Sequence, residues 1–398
     1  MVVIRGIPPK LVVINGDPDA EVGRLMPPMV IDLGRAEDWR DVVHRAVQVL
    51  AEGGIVAFPT ETVYGLAASA LDESAVERLL AVKQRAANQP LALAIRSAEE
   101  ARDYAPDMSP LALRLARRGW PGPITLVVDS SHPESLVGRL PLKVQQSVSP
   151  HHSVGLRVPG HPAILDVLRM LAGPLTLTSA NKSGEPDAVT ARQVLDAVGN
   201  DVDLVLDDGA CRFGQPSSVV RVTKDHFEVL REGVVPEKTL KRLASVMILL
   251  VCTGNTCRSP MAEILCRHLL AEQLGVPMED LEDRGIIVLS AGIAGMMGGR
   301  ASPEAVEVMR EYNLDLADHE TQPLTEPLVR NADFIYTMTR SHRDAIVAQW
   351  PGAADRTFQL ATDGSDVSDP IGGPPERYRT CAAEIYRHLK TRLETMEF

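Results

Sequence analysis

The stretch VCTGNTCRSPMAE, residues 251–263, decides how the C-terminal part of this chain folds. Just upstream, MILLVC is a continuous apolar run, which predicts a buried strand. Downstream, Met261, Ile264, Leu265, His268 and Leu269 recur at helical spacing, and Pro260 stands where a first-turn proline is tolerated. The segment therefore joins the C-terminal end of a strand to the N-terminus of a helix. Backbone N–H groups in such a turn point inward, and the helix dipole adds positive charge, which makes a cradle for a phosphate. A disulfide or a metal site is the plainer reading of two cysteines this close, but five residues separate Cys252 from Arg258. That spacing sets a thiol at the base of the cradle and a planar guanidinium where it can grip two phosphate oxygens. The same field favours thiolate over thiol at Cys252. Asn255 suits a tight, left-handed backbone, Gly254 stands beside it in the loop, and Ser259 can donate a hydrogen bond to the sulfur.

Length and composition bound the rest. At 398 residues the chain exceeds what one ordinary core holds, so two domains are expected. Apolar residues make up 45% and charged residues 24%, which is a globular balance, and no stretch is long enough to span a membrane. The start, MVVIRGIPPKLVV, lacks the long apolar core of a signal peptide. Five thinly spread cysteines fit a reducing cytoplasm. A net charge of −12 argues against a protein whose main task is gripping nucleic acid, though local basic pockets remain open.

Residues 1–36 are proline-rich and weakly patterned, and read as an extension of unknown role. From Glu37 helix and strand patterns alternate: a helix over 37–52, strands at GIVAFPT, PLALAI, PITLVVD, SVGLRVP, PLTLTSA, VDLVLDD and SSVVRV, and helices at DESAVERLLAVKQR and near 110–119, 161–172 and 190–199. Several strands follow one another without a helix, which predicts an α/β domain with a mixed sheet over 37–235. Residues 236–245 read as a short helical connector. Over 246–398 the pattern predicts a doubly wound parallel sheet with its ligand loop at the carboxyl end of the first strand. No internal repeat relates the halves.

A phosphoryl transfer through cysteine needs an acid for the leaving group, on a loop facing the cradle. DVSDPIGG supplies Asp369 before Pro370, with Asp366 as a neighbour that could be mistaken for it. Alone, an Asp-Pro pair reads as a plain turn. Together, CTGNTCRSPMAE, the SAGI segment in the middle and the late Asp-Pro resemble the low-molecular-weight protein phosphatase family. The resemblance implies Cys252 as nucleophile, Arg258 as transition-state clamp, and Asp369 as general acid and then base for hydrolysis of the phosphocysteine, with no metal or other cofactor. It also implies that Cys257 can close a reversible disulfide with the nucleophile; the other reading is a small buried residue. Thr256 in the loop and Ile371, Gly372 and Gly373 after Asp-Pro resemble the protein-arginine phosphatase branch. Phosphotyrosine is the alternative substrate, and a catalytically dead phosphate sensor the alternative function.

In the N-terminal part, FPTETVYGL ends a strand in hydroxyls and a carboxylate, AVKQR places Lys83 and Arg85 at a helix end, GLRVPGHP carries Arg157 and His161, and TSANKSGEP carries Ser179 and Asn181. These are cations for a triphosphate and hydroxyls and amides for smaller polar groups. Singly, each has a structural reading: a solvated helix end, a cap, a turn. In this order, with GQPSSVV and LREG further on, they resemble the YrdC-like threonylcarbamoyl-AMP synthase family. That resemblance implies conversion of L-threonine, bicarbonate and ATP, with magnesium accompanying ATP, to threonylcarbamoyl-AMP and pyrophosphate. The product would feed a separate tRNA-modifying threonylcarbamoyl transferase. By position, Thr60, His161 and Ser218 would hold threonine, and Lys83, Arg85, Arg157, Ser179, Asn181 and Arg231 would hold ATP. Ala86 departs from the proline usual in the family, and the accessory domain of longer members is absent. The chain has no Cys-x2-Cys pair, which sets aside the zinc-bearing hydrogenase-maturation relatives. A non-catalytic RNA-binding module is the alternative from another class.

Overall fold

A computed structural model describes residues 27–84, 90–394 and Met396. The chain divides after Glu237 into two compact units. Residues Glu237–Ala244, within the expected connector, form a helix.

The first unit is built on one ten-stranded sheet. Its strands are β1 (Met29–Asp32), β2 (Val56–Phe58), β3 (Gly65–Ser69), β4 (Ala92–Ala94), β5 (Ile124–Asp129), β6 (Ser153–Arg157), β7 (Leu175–Ser179), β8 (Leu204–Asp207), β9 (Ser218–Val222) and β10 (Phe227–Arg231). The spatial order is β1-β8-β2-β3-β7-β4-β6-β5-β9-β10. Parallel pairs such as β4 with β6 stand beside antiparallel pairs such as β3 with β7, so the sheet is mixed, as the strand-after-strand pattern predicts. One face is sealed by helices Trp39–Ala51 and Pro162–Met170, whose Val42, Leu50, Ile164 and Leu168 pack on Phe58, Leu175 and Leu204.

The expected start at Glu37 is too late. Met29–Asp32 pairs in parallel with Leu204–Asp207 at the sheet edge, so at least these residues of the supposed extension belong to the domain. Four residues are too few for an alternating pattern to register, and their partner lies far along the chain. Residues 1–26 of that extension lie outside the described residues. The strands Gly65–Ser69 and Phe227–Arg231 were likewise not legible as separate elements.

The second unit carries four strands, β11 (Val246–Cys252), β12 (Ile286–Gly292), β13 (Phe334–Thr337) and β14 (Thr357–Gln359). They are ordered β12-β11-β13-β14 and every neighbouring pair is parallel. Helices Arg258–Leu274 and Pro375–Glu394 contribute Met261, Leu265, Ile385 and Leu389 to a core with Ile248 and Leu250. Leu249 and Val251 point the other way and meet Val329, Ile335 and Ile346. The alternation along β11 thus feeds two cores, which is what a doubly wound sheet requires. Because β11 lies between β12 and β13, its carboxyl end is the switch point at which such sheets bind ligands.

Candidate active sites

Cys252 closes β11 and is buried, as are Asn255, Arg258 and Ser259. Asn255 takes φ +57°, the left-handed backbone for which its residue type is suited. Its own N–H donates to Cys252 Sγ at 3.3 Å. Its amide donates to Ser259 Oγ at 2.9 Å and Ser290 Oγ at 2.8 Å, and Ser259 Oγ in turn lies 3.0 Å from Cys252 Sγ and 3.4 Å from the Ala291 carbonyl oxygen. An N–H and a hydroxyl therefore converge on the sulfur. Arg258 donates through NH1 to the Val367 carbonyl at 3.1 Å, and through NH2 to Asp369 Oδ2. The structure thus brings the thiol, the guanidinium and the carboxylate of the sequence reading to one place. Asp366 is engaged elsewhere: it accepts from Arg340 N at 2.7 Å, at the start of the helix Arg340–Gln349.

The SAGI segment of the sequence reading supplies Ser290 and Gly292, whereas Gln322 and His319 carried no signal in the sequence. Gly292 ends β12 against the loop, and a Cβ there would stand 2.7 Å from the Thr253 carbonyl oxygen and 2.9 Å from Asn255 N. Gln322 N donates to Asn255 Oδ1 at 2.9 Å, and His319 Nε2 lies 3.1 Å from the Asn255 carbonyl oxygen. Ser290 donates in turn to Glu263, whose carboxyl is pushed up by burial. Cys257 is buried, with Sγ 3.4 Å from Ser302 Oγ and 3.5 Å from the Tyr378 hydroxyl, itself pushed up to about 12 by burial. All five cysteines are free thiols. Gly254 and Thr256 are half-buried in the loop, and the Thr256 carbonyl accepts from Ser302 N at 2.8 Å.

In the first unit a cavity of about 820 Å³ is lined by Thr60, Lys83, Arg157, Ser179, Asn181 and Arg231, six of the nine residues expected there. Lys83 ends the helix Glu73–Lys83 and is buried. Its ammonium donates to the Ser179 carbonyl at 2.7 Å, to the Asn181 carbonyl, and to Asn181 Oδ1 at 2.6 Å. Ser179 Oγ also donates to Asn181 Oδ1, at 2.6 Å. Lys83 therefore sets a positive charge on the cavity wall and braces the Ser-x-Asn turn. Arg157 ends β6, and its NH2 donates to Glu61 Oε1 at 2.7 Å and Thr62 Oγ1 at 2.9 Å. The other Glu61 oxygen accepts from Gly160 N at 2.8 Å. The carboxylate noticed in FPTETVYGL is thus the counter-charge that orients Arg157. Thr60 Oγ1 donates to the Val63 carbonyl at 2.6 Å, which folds the turn onto itself.

Of the other three expected residues, two are described and lie off this wall. His161 caps the helix Pro162–Met170 through Nδ1, and its Nε2 lies 3.0 Å from Asp208 Oδ2, so both ring nitrogens serve the fold. The hydroxyl of Ser218 donates to the Val235 carbonyl at 2.8 Å and accepts from Gly233 N and Val235 N, while Ser217 beside it lines the cavity. One residue of strand phase separates the two serines, and phase decides the face. Arg85 lies outside the described residues, as does Ala86. His151, Thr125 and Arg221 also line the cavity and carried no signal in the sequence.

A thiol at the switch point of a parallel sheet, with a guanidinium, a facing carboxylate and an N–H and a hydroxyl on the sulfur, defines a cysteine-based phosphoryl-transfer centre. The wide cavity on a mixed sheet, with Lys83, Arg157 and Arg231 on its wall, is a second, unrelated site. Residues 247–397 match the family described as low molecular weight phosphotyrosine protein phosphatase, and residues 48–233 match the Sua5/YciO/YrdC family described as telomere recombination. The second part is similar to the protein-arginine-phosphatase of Bacillus subtilis, 39% identical over 147 residues, 36% of this chain and 91% of that protein. The first part is similar to the threonylcarbamoyl-AMP synthase of Cellvibrio japonicus, 31% identical over 186 residues, 46% of this chain and 93% of that protein. It is also 35% identical over 211 residues to the threonylcarbamoyl-AMP synthase of Pyrococcus abyssi, 52% of this chain; the match spans 58% of that protein's length. The chain belongs to both families, the first through its N-terminal unit and the second through its C-terminal unit.

Proposed function

We propose that the chain is a bifunctional enzyme. The first unit converts L-threonine, bicarbonate and ATP, entering with its magnesium counter-ion, to threonylcarbamoyl-AMP, pyrophosphate and water, for use by a tRNA-modifying threonylcarbamoyl transferase. The observation that carries this reading is the Lys83–Ser179–Asn181 cluster opposite Arg157 on one large cavity. Fixed cations on such a wall suit a triphosphate, and an RNA-binding module has no need of them buried. Pyrophosphate exchange into ATP, dependent on threonine and bicarbonate, tests the reading. Binding of RNA without that exchange would replace it.

The second unit hydrolyses a phosphorylated protein side chain. Cys252 attacks phosphorus and forms a phosphocysteine, while Asp369 gives its proton to the leaving group. Asp369 then takes a proton from water, whose oxygen attacks the same phosphorus and releases phosphate and the thiolate. Arg258 bears the charge that develops on the phosphoryl oxygens. The Asn255 N–H and Ser259 hydroxyl converging on Cys252 Sγ carry this assignment. Hydrolysis of p-nitrophenyl phosphate, lost in Cys252→Ser while threonylcarbamoyl-AMP formation stays within about twofold, is the expected result for sites in separate cores. Phosphate binding without turnover would leave a sensor instead.

Phosphoarginine is the substrate that the loop favours. Thr256 puts a hydroxyl where phosphotyrosine members carry aliphatic bulk, and Ile371, Gly372 and Gly373 replace the aromatic wall of a phenyl slot. A phosphoguanidinium is planar and hydrogen-bonding, and Asp369 can bond its nitrogens. Cys257 guards the nucleophile by a reversible disulfide; recovery from peroxide as complete in Cys257→Ser as in the wild type would refute that role. ATP, tRNA and a working thiolate occur together in a reducing cytoplasm, the compartment both activities require.

A further inference from the structure

His342 belongs to no motif and lies beside the phosphate loop. It stands in the first turn of the helix Arg340–Gln349, where its N–H donates to the N-cap hydroxyl of Thr339 at 3.2 Å. That helix follows β13, the neighbour of β11, so its N-terminus opens beside the strand end that carries Cys252. The imidazole is buried, and its Nε2 lies 2.9 Å from Thr253 Oγ1. Its Nδ1 is buried and has no hydrogen-bond partner among the described residues. Burial, aided by the Arg258 charge and opposed by Asp369 and Asp366, holds the ring below the ordinary histidine range. An apolar side chain would fill this space without stranding a ring nitrogen, so packing alone does not account for a histidine here.

What the ring does touch is one link from the chemistry. Thr253 directly follows the thiol, and its hydroxyl accepts from Arg258 NH2 at 3.4 Å. The same NH2 donates to Asp369 Oδ2. The Thr253 backbone is pinned separately, its carbonyl accepting from Ala294 N at 2.8 Å, so only the rotor of the side chain remains to be set. In either tautomer the contact with Nε2 ties the hydroxyl to the ring.

We propose that His342 is a positioning residue of the phosphatase site: it fixes the Thr253 hydroxyl, which in turn steadies the NH2 end of Arg258 as the guanidinium passes from Asp369 to the phosphoryl group. This inference rests on the phosphatase reading above. Misorienting a clamp that bears charge in the transition state lowers turnover more than it weakens ground-state binding.

The test uses the full chain and p-nitrophenyl phosphate. His342→Phe is expected to lower kcat about tenfold with KM within about twofold, the size of one lost hydrogen bond acting in the transition state. His342→Gln, whose amide nitrogen can still reach Thr253, should keep kcat within about threefold of wild type. Thr253→Val, on an exposed residue, should reproduce the loss without touching the core. In the Thr253→Val background His342→Phe should then add nothing, since the link is already cut. Equal losses from His342→Phe in both backgrounds, or a Gln variant as impaired as Phe at an unchanged melting temperature, would overturn the proposal. If His342→Phe fails to fold, full kcat in Thr253→Val overturns it just as well. Wild-type chain that never turns over the probe would sink the phosphatase reading instead.

Discussion

The guanidinium of Arg258 and the carboxylate of Asp369 are joined across the phosphate loop, NH2 to Oδ2. The arginine side chain is 5% exposed and the aspartate 42%, so the clamp is fixed within the unit while the acid reaches outward. A phosphoryl group competes for the same guanidinium fork. As it takes that fork, Asp369 is released to meet the leaving group. Asp369→Asn removes the proton donor and keeps the shape. Its kcat should fall about 10²- to 10⁴-fold, the range for a positioned general acid, and most for the poorest leaving groups. A loss independent of the leaving group, measured across a series of aryl phosphates, would take Asp369 out of proton transfer.

Lys83→Ala should weaken threonylcarbamoyl-AMP formation roughly ten- to hundredfold in kcat/KM, from a charge-assisted contact of about 1.5–3 kcal/mol. The loss has two sources, the charge on the cavity wall and the brace on Ser179 and Asn181. Pyrophosphate release is the readout. Wild-type rates in the variant would remove Lys83 from the site.

Thr256→Ile should move the second unit from phosphoarginine toward phosphotyrosine. Replacing a hydroxyl that meets a polar substrate by apolar bulk costs about 1–3 kcal/mol. Paired assays on phosphoarginine and phosphotyrosine peptides measure the ratio. Faster hydrolysis of phosphotyrosine by the wild type would overturn the arginine assignment.

Gly292→Ala should cripple the phosphatase although glycine 292 has no side chain to lose. The new Cβ would sit 2.7 Å from Thr253 O and 2.9 Å from Gly254 C, atoms of the loop backbone that cannot swing aside. Overpacking of this kind costs about 1–3 kcal/mol. A lowered melting temperature together with at least a tenfold loss of kcat is expected, and native kcat at native stability would show that the loop yields.

His342 makes stability depend on pH in a definite direction. Its ring is held below the ordinary range by burial and by Arg258, so the unfolded chain, near 6.5, takes up the proton first. Stability from this residue is complete above about pH 6.5 and is lost as pH falls through the lower folded value. The melting temperature of wild type relative to His342→Gln should therefore drop as pH falls below about 6.5. A difference that does not move with pH would contradict a neutral buried ring.

The sequence by itself determined the phosphate loop, because everything that defines it is local. An apolar run, a thiol, an asparagine able to turn left-handed and an arginine at the next helix start lie within residues 251–263. Asp369 was legible through its proline, and Lys83, Ser179 and Asn181 through the order of their motifs. Tertiary structure decided whatever depended on phase or on distant pairing. It chose Ser217 over Ser218 for the cavity, turned His161 to Asp208, gave Met29–Asp32 a partner at Leu204–Asp207, and set Gly292 and His342 against the loop. The physical reason is that a strand's face flips with each residue and its neighbour lies far away in sequence. Local periodicity records which residues are buried, but the partner each one meets is fixed only when the sheet closes.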